Sequence, residues 1–244
     1  MMTLVQSLVS CALLCISLAQ AQTPVMSPAA AQVTLGQRAT FSCNIGVKDG
    51  GAVWWYSQIP GEGAKVILYH HHSYTDPKYG SGVSSDHFTA TVDSAGTGYQ
   101  FIIKKAEIDD SVHHYCVKWY TSINAWVFSE RSKLTVTGAN YPEPEIVLFS
   151  PQPEVASGSI QPTLTCHISN LSVPFGTVNW LVDRKMVQGA VTGEPARDLG
   201  SNTFSMSSYL TMADIKRDSQ VTCQIQQDGS TSITARSIKL SECS

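Results

Sequence analysis

Cysteine is the residue type whose spacing says most about chemistry here, because thiols pair, bind metals or act as nucleophiles according to their neighbours. The chain has seven. Cys43 with Cys116 and Cys166 with Cys223 fall into two widely spaced pairs. Cys11 and Cys15 lie in an N-terminal apolar stretch. Cys243, in the tail Leu240-Ser-Glu-Cys-Ser244, is left without a counterpart. Such a leftover points to a covalent bond with another chain, the alternative being a capped or free tail thiol.

Other reactive groups say less. His70-His-His72 invites a metal reading, but consecutive residues of an extended segment point to opposite sides. Solvated loop histidines, or histidines that touch a ligand, explain the run better, and no metal or cofactor is expected. Neither a Gly-x-Ser-x-Gly elbow nor a His-Glu-x-x-His run is present, so no catalytic residue is assigned. Asn170-Leu-Ser172 is a glycosylation sequon, used or unused.

A length of 244 residues leaves room for about two domains. The 43% hydrophobic content is enough for packed cores, and 14% charged residues argue against disorder. A net charge of -3 gives no electrostatic case for a nucleic-acid partner. Residues 1–21 read as a signal peptide. Leu8 to Ala19 is too short to span the roughly 30 Å hydrocarbon core, and Ala19-Gln20-Ala21 is a small-x-small cleavage pattern. The n-region departs from the usual form in having no Lys or Arg. With no other apolar run long enough for a membrane span, the expectation is a secreted, extracellular protein in a compartment where disulfides persist.

The elements that must position the cysteines are strands. Short alternating segments separated by Gly, Ser, Asp and Pro, without helical periodicity, indicate an all-β fold. In Arg38 to Asn44, Ala39, Phe41 and Cys43 point one way and Thr40, Ser42 and Asn44 the other. Val112 shares a face with Cys116, with His114 between them. Leu164, Cys166 and Ile168 share a face, as do Val221, Cys223 and Ile225. Each cysteine is thus on the inward face, where a bridge between two stacked sheets belongs. Pro142 and Pro144 mark a semi-rigid linker over 139–145.

Trp55 follows Cys43 and Trp180 follows Cys166, each well before the second cysteine of its pair. This repeated Cys…Trp…Cys arrangement resembles the immunoglobulin pattern, two β-sandwich domains each with a tryptophan on the inter-sheet disulfide. Residues 22–138 are similar to a variable domain through Trp55-Tyr-Ser-Gln58, Pro60-Gly61, Lys65 to Tyr69, Asp110 to Cys116 and Lys133 to Thr137. Residues 146–244 look like a light-chain constant domain through Val178-Asn-Trp180, Ser207-Ser-Tyr-Leu210 and Glu242-Cys-Ser244. The whole is identified as a member of the immunoglobulin light-chain family. Its long stretch from His70 to Ser85 is more similar to the sigma type than to kappa or lambda.

The resemblance implies a subunit of adaptive immunity that pairs with a heavy chain, covalently through Cys243, and contributes loops to binding an unidentified antigen. A secreted T-cell-receptor-like or innate immunoglobulin-like receptor chain is the alternative; a receptor chain would normally continue into a membrane span. The implied antigen loops are Gly46 to Ala52, His70 to Tyr79 and Lys118 to Val127, with Lys48, Asp49, His71, His72, Tyr74, Lys118, Trp119, Tyr120, Ser122 and Asn124 as contacts. Tyr56, Gln58, Ala64, Tyr115, Trp126 and Phe128 stand where the partner's variable domain is met, and Val147 and Phe149 where its constant domain is met. Tyr56 and Tyr115 alternate away from Trp55 and Cys116, which should leave aromatic surface on an outer face.

Three departures from the family pattern stand out. Phe128-Ser-Glu-Arg131 lacks the glycines expected after the phenylalanine, so Ser129 and Arg131 would be strained if that backbone needs φ > 0. The tyrosine-corner position holds His114 in one half and Val221 in the other. His87 stands where the family has an arginine paired with the aspartate six before the second cysteine, here Asp110, so the resemblance implies a His87–Asp110 ion pair, the alternative being two exposed residues that never meet.

Overall fold

The computed structural model describes residues 23–138, 140–150, 163–211, 215–216 and 218–242. The expected signal peptide and Cys243 lie outside the described residues. Those residues form strands, turns and two single-turn 3-10 segments, in two compact units that are each taken by themselves.

In the first unit, β1 (Val25–Ser27), β3 (Ala39–Asn44), β7 (Phe88–Val92) and β8 (Gly98–Ile103) form a sheet in the order β1-β3-β8-β7. The facing sheet has seven strands: β2 (Ala30–Thr34), β4 (Val53–Gln58), β5 (Lys65–His70), β6 (Lys78–Tyr79), β9 (His113–Tyr120), β10 (Ala125–Phe128) and β11 (Ser132–Thr137). Its order is β2-β11-β9-β4-β5-β6, with β10 also paired to β9. Strands β5 and β6 extend this sheet beyond β4.

The predicted alternation holds on β3, where Ala39, Phe41 and Cys43 are buried and Thr40 and Asn44 exposed. Cys43 and Cys116 are bonded across the sheets with Cα atoms 6.4 Å apart. Trp55 lies beside Cys116 in the β4–β9 register and is fully buried. Its ring stacks 5.3 Å from that of Phe101, which Phe41, Phe88 and His114 also approach within 6.4 Å. His114 therefore fills the tyrosine-corner position as a core ring, 5.3 Å from Phe41.

In the second unit, β12 (Glu145–Phe149), β13 (Thr163–Leu171), β16 (Val191–Thr192), β17 (Ala196–Arg197) and β18 (Phe204–Thr211) make one sheet. The other is β15 (Lys185–Val187), β14 (Gly176–Val182), β19 (Gln220–Gln227) and β20 (Ile233–Lys239). Leu164, Cys166 and Ile168 face Val221, Cys223 and Ile225 in one apolar core. Cys166 bonds Cys223, Trp180 sits beside Cys223 in register, and its indole N–H donates to Ser208 Oγ at 3.0 Å. Val221 fills the second tyrosine-corner position as a fully buried apolar residue. One boundary shifts: Glu145, placed in the linker by its sequence, is the first residue of β12, paired with Ser169.

The Cys166–Cys223 bridge closes a loop of 57 residues, so its loss removes a constraint on the unfolded chain rather than a contact. A Cys166→Ala/Cys223→Ala variant should lose about 4 kcal/mol of unfolding free energy on the chain-entropy model. Urea denaturation of the second unit's transition measures this; a loss under about 1 kcal/mol would mean that packing around Trp180 alone holds the sheets together.

Candidate functional site

Two features of the first unit could bind something: the loop end of the sandwich and the outer face of its seven-stranded sheet. Both depend on which way β9 points its side chains. With Cys116 inward, His114, Lys118 and Tyr120 are also inward, while Tyr115, Val117 and Trp119 face out.

This parity corrects the expected contacts at the third loop. Strand β9 continues to Tyr120 and is answered by β10 in the register Ala125↔Tyr120 and Trp126↔Trp119, so the loop is only residues 121–124. Lys118 is a strand residue with 0% exposure, not a ligand contact. Its ammonium forms an ion pair with Asp49 Oδ1, donates to the Gly51 carbonyl at 2.9 Å, and lies 5.5 Å from the Tyr120 ring. Tyr120 is buried too, its hydroxyl donating to the Ile45 carbonyl at 2.8 Å. Burial pushes the Tyr120 pKa up to about 12, with the Asp49 charge adding to it. Lys118 and Tyr120 thus hold the 46–52 loop from below.

Asp49 completes the anchor. Burial raises its carboxyl pKa, but the Lys118 hydrogen bond and charge, with backbone N–H groups of Gly51 and Thr121, hold it below the ordinary value. Gly51 N–H donates to Asp49 Oδ1 at 3.0 Å. A Cβ on Gly51 would come 2.7 Å from the Trp119 carbonyl oxygen and 2.8 Å from Lys118 Nζ, so only glycine fits there.

Of the other expected contacts, Lys48, Tyr74, Ser122 and Asn124 are exposed, and Asp49, His71, His72 and Trp119 are half-buried. Asn124 takes φ 52° at the hairpin tip, beside the exposed Ile123, which sequence reading passed over. His70 ends β5 and is buried, its Nε2–H donating to the Tyr74 carbonyl at 3.3 Å. His71 and His72 do not point apart as an extended segment would require. The strand has ended, and in the turn their rings lie 4.1 Å from each other.

The outer sheet face is aromatic. Tyr69 stacks on Trp54 at 4.3 Å, Trp126 meets Trp54 edge-on at 6.2 Å, and Trp119 packs on Trp126 at 5.5 Å. Tyr56 and Tyr115 stack at 5.5 Å, with Phe128 at 6.2 Å from Tyr115. Trp126 is 49% and Phe128 58% exposed, and Ala64 is exposed at the margin with Gln58 half-buried. Tyr115 departs from the expectation of free surface. At 8% exposure it lies beneath Tyr56 and Phe128, and burial raises its pKa. Trp54 and Tyr69 belong to this face although sequence reading did not include them. Trp54 precedes inward Trp55, so the parity that placed Tyr56 outward places it there as well.

The edge of the face is built without its usual glycines, and the expected strain is absent. Neither Ser129 nor Arg131 is among the non-glycine residues with positive φ. Ser129 N–H donates to the Cys116 carbonyl at 2.9 Å, and its Oγ accepts from Cys116 N–H at 3.0 Å, so backbone and hydroxyl together continue the ladder. His87 Nδ1 has Glu107 Oε1 at 4.0 Å, a neighbour that sequence reading did not supply. In the second unit Val147 and Phe149 are exposed on β12, and the outward row continues through Thr165 to exposed Tyr209 and Val191. Asn170 adopts φ 61° and its Nδ2 donates to the Glu143 carbonyl at 3.1 Å.

These features define a two-unit chain of immunoglobulin type, each unit a disulfide-bridged sandwich. Residues 146–230 match the immunoglobulin C1-set domain. The chain is 34% identical over 104 residues to the Ig kappa chain b5 variant C region of Oryctolagus cuniculus, covering 41% of this chain and 96% of that protein. It is also 23% identical over 180 residues to a viral T-cell receptor beta chain-like protein of feline leukemia virus, covering 71% of this chain and 54% of that one. The chain thus spans about half the length of the viral relative. It belongs to the immunoglobulin family. No helix among the described residues is long and apolar enough to cross a membrane.

Removing Asp49 leaves the buried Lys118 ammonium uncompensated, whereas Lys118→Met removes the cation and fills its volume. Asp49→Ala should cost about 3 kcal/mol and Lys118→Met under about 1 kcal/mol, while Lys118→Met speeds hydrogen exchange at Gly51. Chemical denaturation of the two variants checks the order, and a Lys118→Met more costly than Asp49→Ala would refute the assignment. Because the folded Asp49 pKa is depressed, the pair's contribution is present above the unfolded carboxylate value and is lost as pH falls through the folded one. A 13C titration should show the Asp49 carboxyl moving upward in Lys118→Met.

Proposed function

We propose that this protein is the light-chain subunit of a secreted immunoglobulin. In this reading it pairs with a heavy chain and contributes its 46–52, 71–77 and 121–124 loops to antigen binding. The observation that carries the proposal is the partly exposed aromatic face made by Trp54, Tyr56, Tyr69, Trp119, Trp126 and Phe128 on the sheet whose end bears those loops. Contiguous aromatic area of this kind marks a protein interface. Val147 and Phe149 supply the corresponding contact in the second unit, and Cys243 the covalent bond. No catalytic role is assigned. The similarity to the kappa constant region supports a light chain over other immunoglobulin subunits.

A second reading has its own support. The 180-residue similarity to the viral T-cell receptor beta chain-like protein is longer than either unit, which favours a receptor-type chain paired with another receptor subunit. The two readings use the same face and differ in the partner.

Protein from its native source, run without reductant and analysed by mass spectrometry, separates them. The light-chain reading expects a covalent complex with a heavy chain, dissolved by reductant; a receptor subunit or a second copy of this chain in the band would overturn it. Cys243→Ser should remove the covalent band while leaving the complex intact by gel filtration. Phe128→Asp should weaken association by about 30-fold, in the range of interface hot spots.

A further inference from the structure

At the loop end, three segments converge on a cluster that the pairing face and the Lys118 anchor do not use. The aliphatic stem of Lys48 and the Cβ of His72 share the space above Gly96, where an added Cβ would come 2.9 Å from the lysine and 3.4 Å from the histidine. The His72 ring lies 4.1 Å from that of His71, which lies 5.3 Å from Tyr74, and the Lys78 ammonium is 6.0 Å from the Tyr74 ring. Two lysines are therefore joined along the rim through three rings. His72 Nδ1 is buried without a hydrogen-bond partner.

Three carboxylates stand in the segments around this rim, but among the described residues none forms an ion pair with Lys48, His71 or His72. Asp49, whose charge acts on His72, is committed to Lys118 and Gly51. Asp93 across the 93–98 turn accepts from Thr97 and Gly98 N–H groups at 3.1 and 2.9 Å. Asp76 is exposed in the 71–77 loop, and the His70 and Tyr99 rings meet edge-on at 6.4 Å. Burial, then the His71, Lys48 and Lys118 charges, hold the His72 pKa below its ordinary value, with Asp49 opposing them. His71 Nδ1 accepts the Ser73 N–H at 3.2 Å and has Ser73 Oγ at 2.7 Å. The neutral rings can sit side by side; protonated ones, next to Lys48, need a counter-charge.

We propose that Lys48, His71 and His72 form a binding site for an anionic group of the ligand, a phosphate, sulfate or carboxylate, whose grip tightens as the pH falls. The anion supplies the counter-charge that lets the histidines protonate, so binding and proton uptake are linked and each favours the other. Lys48 provides the positive charge of the site, and Tyr74 a ring wall beside His71. This deepens the antigen-binding reading above and rests on it for the identity of the ligand, but not for the presence of the site.

Sulfate is the probe, because its charge is the same at the two pH values compared. Histidine ring resonances of the full chain in its native assembly are followed during sulfate titration at about pH 5.5 and about pH 7.5. His71 and His72 should shift saturably, and His167, bonded to Ser207 in the second unit, should not. Affinity should be about tenfold tighter at the lower pH, and Lys48→Gln should weaken it by about threefold or more at both. His71→Gln and His72→Gln should each reduce the pH dependence while Lys48→Gln preserves it. Non-saturable shifts shared with His167, or saturable binding indifferent to pH and to all three substitutions, would overturn the proposal. Saturable sulfate binding in an assembly without a heavy chain keeps the site and removes the light-chain reading; a heavy chain without sulfate binding does the reverse.

Discussion

The Cys43–Cys116 bond requires two strands of opposite sheets to point one side chain each into the same narrow layer, and that requirement fixes the facing of everything else on them. Side chains alternate with period two, so a slip of one residue would exchange the core and the surface of a whole strand. On β9 the inward set becomes His114, Cys116, Lys118 and Tyr120, and the outward set Tyr115, Val117 and Trp119. On β4 the register Trp55↔Cys116 turns Trp55 inward and Trp54 and Tyr56 outward. The buried aromatic core around Phe101 and the exposed aromatic face thus follow from one parity. The bridge does not supply the energy of either. It removes the alternative registers in which Lys118 would be free and Trp126 hidden.

That parity is legible in the residues, and it explains both what sequence reading finds and where it stops. Alternation assigns the facing correctly for Ala39, Phe41 and Cys43, and for the two cysteine-bearing strands of the second unit. Carried two and four residues past Cys116, the same alternation places Lys118 and Tyr120 inside. Two things obscure this: lysine, tryptophan and tyrosine in succession look like loop composition, and lysine is almost never fully buried unless paired. The pairing that overrides this rule involves Gly51, 67 residues away in sequence, and no local pattern announces it. Ser129 illustrates the opposite error. A missing glycine implies strain only on the premise that the backbone there requires positive φ; the chain keeps an ordinary φ and uses the hydroxyl to meet Cys116 N–H instead.

The Lys118–Asp49 pair also shows what a buried charge does beneath a loop. As a stability device it is poor, since desolvating both ions offsets most of their attraction, and an apolar pair of equal volume would serve a core as well. An apolar pair would not, however, fix the backbone of the 46–52 loop. The ammonium donates to the Gly51 carbonyl and pairs with Asp49, while Tyr120 holds Ile45 two residues farther along the inward face of β9. Three polar contacts from one strand therefore set the base of a loop with no regular structure of its own. Adaptability is left to the exposed tips, where Ser122, Ile123 and Asn124 contact solvent.

The loop end and the outer aromatic face are consequently not independent. Hairpin β9–β10 presents Trp119 and Trp126 on the outer face through the same register that closes the 121–124 loop. A partner that buries Trp126 restrains β10, and through Ala125↔Tyr120 it restrains the strand that carries Lys118 and the loop tip. Pairing should then lower the entropy cost of ordering the loops before any ligand arrives, which is how pre-organisation raises affinity without a new contact. The effect runs both ways by linkage: whatever rigidifies the 46–52 and 121–124 loops should also tighten the partner's hold on the aromatic face. Because β9 carries Lys118, Tyr120 and Trp119 together, a partner on the outer face and a ligand at the loops would be coupled through the order of that strand.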